Sequence, residues 1–173
     1  LTMYLLNKQT EIEQESKKSE RVFDEKVKLY QEILTITKEI IEDNYIDRDE
    51  VSKLPFAMIN LQMIGADEVI KSYKAVYQNI MDIFGKSEAD EVEIQNEEKD
   101  KLILDVSMFA STCRVDLGIS EDEVEEKLFK ETSQILKKSN AVIEGRNQPL
   151  DESVINEAKV TLSDNITYLI KRY

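Results

Sequence analysis

The sequence predicts an all-α fold: an antiparallel bundle of five or six helices from which a long N-terminal helix protrudes. Three observations lead there. The 173 residues include four glycines and two prolines, too few for the many turns of a sandwich or barrel. Apolar residues recur at helical spacing in one segment after another. The glycines fall close to where those segments stop, which is where helices use a residue tolerant of left-handed backbone.

The first helix is predicted from near Thr2 to about Asp43. Phe23, Val27, Tyr30, Leu34 and Ile41 advance in steps of four and three with Thr37 filling the gap, which is a heptad seam. Leu29, Ile33, Ile36 and Ile40 form a neighbouring stripe, so this half presents a face broad enough for several helices. The stretch Lys8 to Arg21 carries Ile12 as its one large apolar residue. It cannot be core. The chain therefore divides into a polar helical extension or tether over 1–21 and a bundle domain over 22–173. A helix of the whole span is about 60 Å long at 1.5 Å per residue, longer than a domain of this size is wide.

Four further segments follow. A short one holds Val51, Leu54, Phe56, Ile59 and Met63 and ends at Gly65, with Pro55 limiting its first turn or splitting it. A second runs from about Asp67 to Gly85 with Val69, Tyr73, Val76, Ile80 and Ile83 on its core face. A third runs from about Asn96 to Gly118 with Leu102, Val106, Phe109 and Cys113 at heptad steps. The next opens on a Ser120/Glu123 capping-box pattern and carries Val124, Leu128, Ile135 and Leu136, with Gly145 in the loop beyond. Asp151 is the expected N-cap of a last helix through Ile155, Ala158, Leu162, Ile166 and Leu169. The acidic stretch Lys86 to Asp100 is expected to be a solvated loop running into a helix N-terminus, where acids are favoured.

The formal net charge of −13 disfavours nucleic acid and anionic lipid headgroups, since binding either depends on clustered Lys and Arg. One cysteine excludes an internal disulfide and suits a reducing cytoplasm, the expected compartment. No stretch approaches the roughly 20 apolar residues of a membrane span. Leu1, Met3, Tyr4, Leu5 and Leu6 nevertheless make an apolar tip ahead of a charged helix. Two readings stand: the end of a membrane helix lying upstream of Leu1, at the inner face of a membrane, or a cap that touches the core or a second copy.

The chemistry of catalysis is missing. Without histidine, Ser-His and Cys-His triads and the Glu-x-x-His pairs of di-iron bundles are excluded. Carboxylates alone could hold Ca²⁺ or Mg²⁺, but the stretch Asp43 to Glu50 lacks the glycine and ligand alternation of a calcium loop and reads as a turn of capping acids. Cys113 lies on an apolar stripe, as a structural thiol does. Gly65-Ala66-Asp67-Glu68 lacks the Lys-Ser or Lys-Thr of a phosphate loop. The Asn165-Ile166-Thr167 sequon falls in mid-helix and reads as chance. No cofactor or metal is expected.

The most distinctive string, Arg114-Val115-Asp116-Leu117-Gly118-Ile119-Ser120, reads as a structural corner. In it Gly118 takes the left-handed cap, and Arg114 and Asp116 pair with neighbouring helices. Together with Asn7-Lys8-Gln9, Glu11-Ile12, Lys26 with Tyr30, and the Gly65 to Ile70 break, it gives the chain a resemblance. Over about Asn7 to Ser120 it resembles a group of uncharacterised bacterial helical domains, often membrane-tethered, with a G-[SA]-D-E-V-I break and an R-x-D-L-G corner. The resemblance implies a tethered helical domain and no known activity.

The function expected from all this is interaction or scaffolding without catalysis, in the soluble part of a larger or membrane-tethered bacterial protein. The expected partner is another protein or a second copy. Ile12, Phe23, Val27 and Tyr30 are the residues expected to carry self-association through the N-terminal helix. The alternative is a regulatory domain that binds a ligand or metal between helices, for which ligand-dependent stabilisation is the test.

Overall fold

The computed structural model describes residues 1–119 and 122–145, the side chains of 122–129 excepted. Among these residues the chain forms five helices and one two-stranded sheet. They are α1 (Thr2–Asp43), β1 (Tyr45–Asp47), α2 (Arg48–Ile64), α3 (Asp67–Phe84), β2 (Glu91–Glu93), α4 (Asn96–Asp116) and α5 (Asp122–Ile143). The expected last helix from Asp151, and the capping role of Ser120, lie outside the described residues.

Four helices close a ring: α1 packs on α2, α2 on α3, α3 on α4 and α4 back on α1, while α5 packs on the outside of α4. Each contributes one apolar stripe. Leu29, Ile33, Ile36 and Ile40 of α1 meet Leu54 and Leu61 of α2, Val69, Tyr73, Val76 and Ile80 of α3, and Leu102 and Phe109 of α4 in one core. Its aromatic centre is Phe109, edge-on to Tyr30 at 6.2 Å and tilted against Tyr73 at 5.7 Å, spacings at which ring quadrupoles attract. Thr37, the polar gap in the α1 seam, is buried because its hydroxyl donates back to the carbonyls of Ile33 and Leu34 (3.1 and 3.0 Å).

Three features depart from the sequence reading. The acidic loops on either side of the helical hairpin α2–α3 pair as a short antiparallel sheet, Ile46 facing Val92, which neither segment's pattern announces. Ile46 is the reason: it is fully buried at the base of the core, and with Ile94 it anchors both loops. Secondly, α2 runs unbroken through Pro55. Its start is fixed by a reciprocal cap, in which Glu50 N–H donates to the Asp47 carboxylate (2.7 Å) and Asp47 N–H to the Glu50 carboxylate (2.9 Å). Thirdly, α2 buries Leu54, Ala57 and Leu61 but leaves Phe56, Ile59 and Met63 in solvent.

The base of the bundle is held by polar groups. Asn44 ends α1 in the left-handed region at φ 62°, a conformation that asparagine tolerates better than most residues. Its side-chain oxygen accepts from the buried Lys99 ammonium, which also pairs with Glu144, just past the end of α5, at 2.8 Å. Asn140 donates to Asp100 at 3.0 Å beside them. One buried cation thus joins the ends of α1, α4 and α5.

Candidate interaction surfaces

The first surface is the N-terminal arm. Residues 1–22 are all exposed, Phe23 is half-buried, and unbroken core packing begins only in the turns after it. Within one continuous helix, therefore, about 33 Å stands clear of the bundle at 1.5 Å per residue. A helix of this length is marginal in isolation; here the docked half supplies the nucleus, and Glu13 four residues before Lys17 is oriented to support the free half. At its tip Met3, Tyr4, Leu5 and Leu6 occupy four successive positions, and all are exposed. At about 100° per residue they form a ring around the helix, not a stripe on one side.

The root of the arm is braced by the corner at the end of α4. The Asp116 carboxylate accepts a hydrogen bond from the Tyr30 hydroxyl and pairs with the Lys26 ammonium at 3.0 Å. Burial and the neighbouring Asp116 charge both push the Tyr30 hydroxyl's ionisation well above the ordinary phenol range, so it stays protonated and can donate to that carboxylate. The corner itself is a Schellman turn: Gly118 N–H donates to the Val115 carbonyl and Ile119 N–H to the Arg114 carbonyl, both at 2.9 Å. Gly118 has φ 69°, where a Cβ would be strained. Arg114 sits half-exposed on the same turn. Two separate sequence motifs, Lys26 with Tyr30 and Arg114 to Gly118, are thus one contact in space.

The four residues expected to carry self-association lie in different surroundings. Tyr30 and Val27 are buried within the chain's own core, and Tyr30 spends its hydroxyl on Asp116, so neither presents a surface to a second molecule. Phe23 is half-covered at the root, and Ile12 alone of the four stands fully in solvent.

The second surface is the outer face of α2. Phe56, Ile59 and Met63 fall within an arc of about 60° at 100° per residue, on the side opposite Leu54, Ala57 and Leu61, and are 70%, 52% and 76% exposed. The run Leu54 to Ala66 holds no charged residue in a chain that is 34% charged. That run was the available signal in the sequence. An apolar segment with two apolar faces does not say which one goes inside.

Cys113 is buried, and burial followed by the nearby Asp116 charge pushes its thiol well above the usual range, which suppresses the reactive thiolate. The described residues contain no group of three or more His, Cys, Asp and Glu arranged to hold a metal ion, and none of their helices is long and apolar enough to cross a membrane. Comparison with protein-family models, curated proteins and solved structures finds no match to this chain.

Proposed function

We propose that this chain is a non-enzymatic interaction and scaffolding domain, carried on a helical arm as part of a larger or membrane-tethered bacterial protein on the cytoplasmic side. The observation that supports it is the arm: Thr2 to Val22, all exposed, in a helix continuous with the core. An extension that contributes nothing to its own fold has its use outside it. The tip favours a surrounding apolar environment over a one-sided groove, since its ring of side chains has no polar side to leave in water.

Charge supports the same arrangement. Residues 1–22 carry Lys8, Lys17, Lys18 and Arg21 against Glu11, Glu13, Glu15 and Glu20, a net charge of zero, so the whole excess of −13 lies in residues 23–173, which include the acidic bundle. An anionic membrane surface repels such a bundle over a Debye length of about 8 Å. The arm is several times longer and holds the bundle beyond that range.

Flotation of the full chain with phosphatidylcholine vesicles tests the reading. The wild-type chain is expected to float with the lipid, and the Leu5→Asp/Leu6→Asp variant to remain in the dense fraction with an unchanged circular dichroism spectrum. A wild-type chain that stays with the unbound protein at all lipid concentrations removes the membrane from the proposal.

A further inference from the structure

We propose that the outer face of α2 is a homodimer interface, occupied by α2 of a second copy packed antiparallel across a two-fold axis. The self-association expected of α1 then resides on a different helix. The inference shares with the proposed function only the premise that the bundle binds protein, and it does not depend on what the arm's tip contacts.

Three observations point to a second copy. A chain of net charge −13 repels itself wherever its carboxylates meet. The run Leu54 to Ala66, free of charge over thirteen residues, is where two copies approach without that cost. Next, the exposed stripe is self-complementary. An axis midway between Ile59 and Asn60 brings the two Ile59 side chains together and sets Phe56 of each copy against Met63 of the other. Sulfur–aromatic contacts of that kind are favourable, and methionine adapts to the available gap. An isologous interface then makes each contact twice.

The charges at the two ends of the stripe are complementary under the same operation. Lys53 precedes the stripe and Asp67 follows it, and both are exposed. The two-fold axis that pairs Phe56 with Met63 carries Lys53 of one copy to the neighbourhood of Asp67 of the other. A parallel arrangement would instead set Lys53 against Lys53 and Asp67 against Asp67. The pattern therefore selects the antiparallel pair.

A 17-residue helix pair is at the small end of specific interfaces, so the dimer is expected to form in the micromolar range. Sedimentation velocity of the full chain from about 1 µM to 1 mM tests this. The wild type should pass from monomer to dimer. Phe56→Glu should raise the dissociation constant roughly 30-fold or more, as expected at a central contact, with no loss of thermal stability in the monomer because the side chain is exposed.

The charge swap reads the geometry. Lys53→Glu and Asp67→Lys alone should each weaken the dimer about tenfold, since each places like charges together at two symmetric positions, and the two combined should restore it. Ile12→Asp should leave the dimer intact. A wild type that is monomeric throughout overturns the proposal. So does a double swap no tighter than the single ones, or a dimer lost with Ile12→Asp and kept with Phe56→Glu. A Phe56→Glu monomer that melts well below a monomeric wild type would mean instead that the chain covers this face itself.

Discussion

Asp116 is the residue on which the root of the arm depends. Its carboxylate is largely buried and holds two donors that come from one turn of α1, Lys26 and Tyr30. Asp116→Ala leaves a buried hydroxyl and a half-buried ammonium without an acceptor, at a cost of about 2–3 kcal/mol. Tyr30→Phe removes one donor and leaves the ion pair, at about 1 kcal/mol. Urea unfolding of the two variants should rank them in that order; equal costs would show that the Lys26–Asp116 pair adds nothing beyond the Tyr30 hydrogen bond. The same scale governs response to acid. Burial opposes ionisation of Glu98, but hydrogen bonds from Lys86 and the Gln95 N–H outweigh it and lower its pKa. A carboxylate lowered in the folded state stabilises fully above its unfolded value, and that contribution is lost as pH falls through the folded value. Glu50 has the opposite sign: burial, then the Asp47, Glu39 and Asp43 charges, outweigh its backbone hydrogen bond and raise its pKa. A carboxylate raised in the folded state loses stability as pH rises through its folded value, so Glu50→Gln should raise stability at neutral pH relative to acid, whereas Glu98→Gln should lower stability at neutral pH and leave it unchanged in strong acid. Urea midpoints from pH 7 down to pH 2 separate the two.

Elements were legible in the sequence where one physical signal dominated. The second half of α1, α3 and α4 each have one apolar stripe, and a stripe has one place to go. Glycines mark the ends of α4 and α2 because the cap of α4 needs φ 69° at Gly118, and because a Cβ on Gly65 would lie 2.9 Å from the Leu61 carbonyl oxygen. Legibility failed where two signals competed or where the decisive contact was distant. In α2 the stripe of Leu54 and Leu61 and that of Phe56 and Met63 have similar apolar weight, and the choice between them was made by the shape of the ring. The β1–β2 pair depends on Ile46 and Val92 meeting across 46 residues of sequence, beyond any local pattern. Of the interaction residues expected on α1, Val27 and Tyr30 lie on the seam that the core itself consumes. The division of α1 has a direct consequence for mutation. Ile33→Ala, at a fully buried site, should cost about 2–5 kcal/mol, while Ile12→Ala on the arm should change stability by no more than about 0.5 kcal/mol. Comparable losses from both would mean that the arm packs on something within the chain.

On the scale of the whole molecule, charge and shape are distributed together. Residues 23–173 carry all of the net negative charge, and the neutral arm carries the exposed apolar tip. The outer face of α2 is a second apolar surface among the described residues, on the side of that helix opposite its core stripe. A body with one uncharged face and one long arm can be tethered at one point and paired at another, which is what a scaffold requires. Helix α1 is one helix with two mechanical roles. Amide hydrogen exchange measured residue by residue along it is the most direct test. Amides from Thr2 to Val22 should exchange through local fraying, while those from Leu29 to Ile41 should be protected up to the free energy of global unfolding. Uniform protection from one end of the helix to the other, in the isolated monomer, would contradict it.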